Sequence, residues 1–336
     1  MSGPEPHDEF DDLDRLFRPL ADSVEARGLR DDVAVVSGRP GWDLVITTDT
    51  IVEGVHFLTN DPLDQVARKL LRVNLSDLAA KGAEPWAYLL TVSWPPTCRA
   101  EMREQFAAGL KQDQARYGLK LLGGDTTSTS GPLTCGMTAF GWAPQGQIPS
   151  RAGARPGDVI LVSGAIGDGL LGLRAAQGRL MHLEPERQGA LIQRYRLPEP
   201  RTVLARAVRA HVSASADVSD GLIADLAHIA QASGVRAEVR LEAVPHSAAA
   251  TAWLSHRADP VAAAIDLATG GDDYEIVCTA RPDHAAALQR EARATGIPFT
   301  PIGQIVAGQG VGVSLDGDPV SVEESGWRHG ARATKR

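Results

Sequence analysis

Apolar residues recur at helical spacing through Leu63, Val66, Ala67, Leu70, Leu71, Val73 and Leu78, which predicts a long amphipathic helix over residues 63–82. Gln65, Arg68, Lys69, Arg72 and Ser76 fall on its opposite face. Similar patterning predicts helices over 8–27, about 100–116, 168–178, 186–196 and 200–211, and another from Leu222 whose Leu226 and Ile229 continue a buried stripe. Short apolar runs read as strands: DVAVV (32–36), LVITTDT (44–50), WAYLLTVSW (86–94), LKLLGGDTT (119–127), LTCGMTAFGWA (133–143), DVILVSG (158–164) and RAEVRL (236–241), with one more closing LATGGDDYEIVCTA. Strands and helices alternate, so the fold class is α/β (α+β). The segment 143–158, APQGQIPSRAGARPGD, is rich in Pro, Gly and Arg and marks a boundary between domains 1–147 and 148–336.

Polar residues interrupt this pattern where chemistry is expected. Asn74 and Asp77 lie inside the apolar stripe of the 63–82 helix. A lone ionised carboxylate is costly to bury, so Asp77 must be paired, hold a cation or line a cleft at the stripe's edge. Four other loops share the character: Asp31 and Asp32 before a strand, Asp125 behind Gly123 and Gly124, Asp217, Ser219 and Asp220 before a helix N-terminus, and Asp272, Asp273 and Glu275 behind Gly270 and Gly271. Singly, each reads as a turn, a cap or a loop residue. Together, acidic loops at the ends of apolar elements suit hard divalent cations held by oxygen ligands. In TTDTIVEGVHF, Thr47 and Asp49 share a strand face with Thr48 between them, an all-oxygen set fitting Mg²⁺, and Glu53 and His56 lie beyond. On the residues alone, His56 reads as a hydrogen-bonded structural histidine.

Composition narrows the partners. The chain has 336 residues, 43% hydrophobic and 23% charged, with a formal net charge of −8, which argues against nucleic acid or an anionic membrane as partner. Cys98, Cys135 and Cys278 have neither disulfide nor zinc spacing, which fits a reducing cytoplasm, and no signal peptide or membrane span is expected. GDGLLG (167–172) fits G-x-G-x-x-G only weakly, and no Walker A sequence is present, so a bound nucleotide's charge would have to be met by metals on carboxylates.

The ordered motifs VITTDTIVEGVHF, VNLSDLAAKGAEP, LLGGDTT, DVSDGLIADLAHIAQASGV, GGDDYEIV and PIGQI resemble bacterial thiamine-monophosphate kinases, relatives of aminoimidazole ribonucleotide synthetase, over nearly the whole chain. The resemblance implies a two-domain subunit with an N-terminal mixed sheet, dimeric through that sheet, that moves the γ-phosphoryl group of ATP to thiamine monophosphate. It implies that Asp32, Thr47, Thr48, Asp49, Asp77, Asp125, Asp217 and Asp220 hold several Mg²⁺ ions, with Asp49, Asp77, Asp125 and Asp217 as the catalytic set. It places Gly124, Asp125, Arg151 and Ser219 at ATP, and His56, Asp272 and Trp327 at the thiamine phosphate. Arg30 stands where the family has glycine, and Asp272 where it usually has glutamate. The alternatives are another ATP-dependent enzyme of the superfamily, such as selenophosphate synthetase, whose reactive Cys and Lys are not matched here, or a non-catalytic nucleotide-binding regulator.

Overall fold

The computed structural model describes residues 13–30, 33–323 and 325–327. The chain forms two compact units, the first comprising the chain up to Leu78 with Ala83–Gly146, the second Ala79–Gly82 with everything from Gln147 onward. The sequence-based division at 147 took no account of Ala79–Gly82, which groups with the second unit.

The first unit carries strands β1 (Trp42–Val52), β2 (Glu84–Trp94), β3 (Lys120–Ser128) and β4 (Thr134–Pro144), and helices α1 (Leu63–Ala80) and α2 (Ala100–Tyr117). The sheet order is β1-β4-β2-β3, with β2 and β3 parallel and the other pairs antiparallel. A parallel pair needs a crossover, and α2 supplies it. The apolar stripe of α1 joins a core with Tyr88, Phe106, Leu121 and Met137.

The other face of α1 differs from expectation. Lys69, Arg72 and Ser76 are buried rather than solvated, and Asp113 of α2 faces Arg68 and Arg72. Its carboxylate accepts from Arg72 Nε at 2.5 Å and from Arg68 Nε at 3.1 Å, and Lys69 Nζ donates to the His56 carbonyl at 3.0 Å. Long cationic side chains thus pack their stems while their charges are paired.

The N-terminal expectations need two corrections. The 8–27 helix is replaced, in its described part, by short turns over Leu13–Phe17, Arg18–Leu20 and Val24–Leu29, since Pro19 lacks an N–H and Arg27, Gly28 and Leu29 have positive φ. DVAVV forms no strand within its described residues 33–36; Val35 N–H instead bonds the Glu25 carbonyl at 3.0 Å, and Val33 and Val35 stay about half exposed. An apolar run needs a neighbouring strand to become one.

The second unit is built on a seven-stranded mixed sheet, ordered β11-β10-β7-β9-β5-β8-β6, from β5 (Val159–Ser163), β6 (Ala214–Asp217), β7 (Arg236–Arg240), β8 (Ile276–Ala280), β9 (Phe299–Val306), β10 (Gly310–Leu315) and β11 (Asp318–Val320). Its helices are α3 (Asp168–Ala176), α4 (Pro185–Arg196), α5 (Ala205–His211), α6 (Leu222–Ser233), α7 (Ala248–Leu254), α8 (Pro260–Thr269) and α9 (Pro282–Ala294). The helix predicted over 200–211 is a 3₁₀ turn, Thr202–Leu204, running into α5. Among the described residues no helix is long and apolar enough to cross a membrane. All three cysteines are buried and unbridged.

Candidate active site

In the first unit, exposure along β1 alternates, so Thr47 and Asp49 face α1 while Thr48 and Thr50 face away. From α1, Thr47 and Asp49 meet Asn74 and Asp77, one helical turn apart. Thr47 Oγ1 donates to the Asp77 carboxylate, and Asn74 Oδ1 accepts from the Asp49 N–H at 3.1 Å while its Nδ2 donates to the Leu70 carbonyl at 2.9 Å. Of residues 69–80, Asp77 alone is not buried. Asn74 therefore fixes strand to helix, and Asp77 puts a carboxylate at the edge of the stripe. Thr48 departs from the expected set: its hydroxyl donates to the Met137 carbonyl at 3.1 Å and accepts from Thr138 at 3.2 Å, on the other face.

Asp125 is also on that other face. The register runs Thr50–Gly136–Thr91–Asp125 across the sheet, and a Cβ at Gly136 would lie 2.6 Å from Thr91 Oγ1 and 3.2 Å from Thr50 Oγ1. With two strands between β1 and β3, Asp125 is about 14 Å along the sheet from Thr50. The first unit thus brings Thr47, Asp49 and Asp77 together, but leaves Asp125 apart. Asp125 instead lines a cavity of about 370 Å³ with Gly123, Gly124, Phe17 and Leu29. At Gly124 the constraint is the neighbouring strand, since a Cβ there would lie 1.8 Å from the Leu90 carbonyl oxygen.

His56 sits in the turn after β1, where Nδ1 accepts from the Val52 N–H at 3.0 Å and thereby leaves the neutral ring's proton on Nε2. Glu53 holds the same turn, accepting from the Leu133 N–H at 3.1 Å. Asp31 and Asp32 lie outside the described residues.

In the second unit, the loop after β6 is a hub. Asp217 is buried at the strand's end. The N–H groups of Ser219, Asp220 and Gly221 all converge on Asp225 Oδ2, at 3.0, 3.1 and 3.2 Å. Burial first, and then the Asp220 charge, push the Asp225 carboxyl up to about 7. Carboxylate oxygens of Asp220 and Asp225 and a ring nitrogen of exposed His228 lie within 4.8 Å of one another. The carbonyls of Val218 and Ser219 accept from the N–H groups of Tyr274 (2.8 Å) and Asp272 (2.9 Å), and the Asp220 carbonyl accepts from the Trp327 N–H (2.9 Å). The structure therefore joins Asp217, Ser219, Asp220, Asp272 and Trp327. Arg151 is exposed, its carbonyl accepting from Ser233 Oγ at 2.9 Å.

The acidic run 272–275 does not act as one cluster. Asp273 is buried and accepts from the N–H groups of Gly167 and Gly169 at 2.8 and 2.9 Å, and burial pushes its carboxyl up to about 8. This accounts for GDGLLG: a protein carboxylate occupies N–H groups of the glycine-rich turn, and Gly172 clears the Leu191 carbonyl, 2.2 Å from where a Cβ would stand. Asp168, raised by burial against the bond from Ser247, lies in the same interior. Glu275 accepts from Ser163 Oγ and Arg201 Nε, both at 2.6 Å, and pairs with Arg194 at 3.1 Å. Asp273 and Glu275 are thus framework acids. Asp225 and Tyr274 are site neighbours that sequence reasoning missed; an aspartate in the first turn of the helix behind DVSDG was the available signal for Asp225.

The two mixed-sheet units and their oxygen-lined loops define the class. Residues 30–143 match the AIR synthase related protein, N-terminal domain, and residues 155–316 match the AIR synthase related protein, C-terminal domain, so the chain is an AIR synthase related protein. Within that class it is 53% identical over 327 residues to the thiamine-monophosphate kinase of Caulobacter vibrioides, covering 97% of this chain and 92% of that one. The crystal structure of thiamine-monophosphate kinase from Stenotrophomonas maltophilia K279a superposes with a TM-score of 0.81 at 38% identity, covering 93% of this chain and 98% of that one. A structure of AaThiL complexed with AMPPCP and TMP superposes with a TM-score of 0.76 at 30% identity, covering 98% of this chain and 99% of that one. The chain belongs to the thiamine-monophosphate kinase family.

Proposed function

We propose that this protein is an ATP-dependent thiamine-phosphate kinase, transferring the γ-phosphoryl group of ATP to the phosphate of thiamine monophosphate to give thiamine diphosphate and ADP. The observation that carries this reading is the near-full-length match to thiamine-monophosphate kinases, one related structure being complexed with AMPPCP, a non-hydrolysable ATP analogue, and TMP. The acceptor oxygen is already ionised near neutral pH, so the chain needs no strong general base. What it must supply is alignment and compensation for the repulsion of two anions.

The donor chemistry fits Mg²⁺: Thr47 and Asp77 put hydroxyl and carboxylate oxygens, both hard donors, at one point. Of the residues assigned to Mg²⁺ ions, Thr47, Asp49 and Asp77 would hold metal within the first unit, with Asp32, Thr48 and Asp125 as further candidates there, and Asp217 and Asp220 are the candidates within the second. When bound, Mg²⁺ neutralises phosphate charge. Thr47 orients the Asp77 carboxylate, and Asn74 fixes the Asp49 backbone relative to α1. Gly124, Asp125, Arg151 and Ser219 are assigned to ATP, with Arg151 an exposed forked donor for a phosphate. His56, Asp272 and Trp327 are assigned to the acceptor. The outer face of β1 exposes Trp42, Leu44 and Ile46, the last at 58%, an apolar strip that supports a homodimer. A cytoplasmic location is part of the same reading.

The test is to incubate purified protein with ATP, thiamine monophosphate and MgCl₂, following ADP and thiamine diphosphate. Equimolar formation of both, abolished by chelating the divalent cation, is expected. ATP binding without diphosphate product under any divalent metal would instead identify a nucleotide-binding regulator.

A further inference from the structure

In the loop before β8, the two non-glycine residues Asp272 and Tyr274 have left-handed backbones, with φ of +70° and +52°. Such torsions are unfavourable for side chains bearing a Cβ and persist where the surroundings impose them, most often at functional sites. The surroundings here are specific. Asp273, between the two, is drawn inward by the N–H groups of Gly167 and Gly169, while the N–H groups of Asp272 and Tyr274 are held by the carbonyls of Ser219 and Val218. A Cβ at Gly271 would lie 2.5 Å from the Ser219 carbonyl oxygen, so the approach of the two loops is also sterically fixed.

The result is an alternation in which 273 and 275 are buried and 272 and 274 remain partly exposed. Across that pair, the Tyr274 hydroxyl donates to Asp272 Oδ1 at 3.2 Å. A carboxylate on a short side chain rotates freely unless a neighbour fixes it, and a phenol two residues on is rigid, with two rotatable bonds to its ring. We infer that Tyr274 is a positioning residue for the acceptor: its hydroxyl sets the direction in which Asp272 presents its carboxylate to the amine-bearing or cationic organic part of the substrate. This rests on the assignment of Asp272 to thiamine monophosphate made above. It adds Tyr274 to the specificity of the site, acting through Asp272 and not on the phosphoryl group or the nucleotide.

The experiment compares Tyr274→Phe, Asp272→Asn and the double variant in the full-length enzyme, measuring KM and kcat for both substrates, direct binding of thiamine monophosphate by calorimetry, and melting temperature. Losing one hydrogen bond to a charged acceptor is expected to weaken thiamine monophosphate about five- to tenfold in Tyr274→Phe. The KM for ATP, kcat and melting temperature should stay within about twofold or 2 °C of the parent, and in the Asp272→Asn background the added Tyr274→Phe change should cost less than about twofold. Unchanged acceptor affinity in Tyr274→Phe, beside weakened affinity in Asp272→Asn, would overturn the inference and leave the assignment of Asp272 standing. An equal effect in both backgrounds, a parallel loss of ATP affinity, or a lowered melting temperature would make Tyr274 a framework residue and overturn it too. If neither substitution weakens the acceptor while thiamine diphosphate is still made, Asp272 is outside the acceptor site and the inference falls without the kinase reading. Absence of product from the parent enzyme would remove the kinase reading itself.

Discussion

The hydroxyl of Thr47, in the middle of β1, donates to the carboxylate of Asp77, in the last turn of α1, and thereby ties strand and helix at the one partly exposed position of an otherwise buried stretch. A helix that needed only packing would carry an apolar residue there. Asp77→Asn keeps the shape and an oxygen acceptor for Thr47 but removes the charge. Turnover is expected to fall at least about a hundredfold while the melting temperature moves by less than about 2 °C, as checked by steady-state kinetics at saturating Mg²⁺ and by calorimetry. Thr47→Val, which removes only the donor, should cost about tenfold. A variant of Asp77 that unfolds instead would assign the carboxylate to the framework.

Asp225 gathers three consecutive backbone N–H groups of the loop that carries Ser219 and Asp220. Asp225→Ala leaves those donors, of which the Gly221 N–H is buried and the other two partly so, without their acceptor, so a loss of about 1–3 kcal/mol in stability and more than about tenfold in activity is expected. Asp225→Asn retains an acceptor and resembles the protonated form that burial favours; it should recover most of the stability. Urea unfolding of the two variants side by side distinguishes an acceptor role from a charge role.

The paired glycines of LLGGDTT should respond unequally. At Gly124 an added methyl meets the Leu90 carbonyl oxygen at 1.8 Å, whereas at Gly123 the nearest atom is the flexible Leu89 Cδ2 at 3.5 Å. Gly124→Ala is therefore expected to cost about 1–3 kcal/mol through strain in the β2–β3 pair, and Gly123→Ala less than about 1 kcal/mol. Thermal melting of both checks this. Equal tolerance at the two sites would mean that β3 moves away from β2 more readily than the bulge beside Leu89 implies.

How far the site could be read from sequence varies residue by residue. Asp77 was legible because a strong helical period makes any polar intruder conspicuous. The split of Asp49 from Asp125 was not, because it depends on β4 inserting between β1 and β2, a matter of sheet order that no local pattern encodes. The three acids of GGDDYE look alike in a string; Asp273 and Glu275 differ from Asp272 through Gly167, Gly169, Ser163, Arg194 and Arg201, all distant in sequence. The burial of Arg72 and Lys69 was hidden for the same reason, since Asp113 comes from another helix and the His56 carbonyl from the turn after β1. Periodicity located elements and exposed intruders, while tertiary partners decided which polar residues are structural.

Asp273 makes a prediction about pH. Its carboxyl is buried, accepts two backbone N–H groups and has its pKa raised from 3.8 to about 8, with burial as the largest cause and those hydrogen bonds and Arg194 opposing it. Below pH 3.8 folded and unfolded chains both carry the proton. Between 3.8 and 8 the folded protein keeps it while the unfolded chain has released it, so stability declines as pH rises across that window, and above 8 both are ionised and the decline stops. Asp273→Asn cannot ionise and should lack this component. The melting temperature of the parent minus that of Asp273→Asn is therefore expected to fall steadily from pH 5 to pH 8 and to level off by pH 9, with all other titrating groups cancelling in the difference. Curves that stay parallel throughout would mean that the Gly167 and Gly169 N–H groups and Arg194 hold the charged form against its burial, and that the 270–275 loop is locked by an anion instead of by a neutral acid.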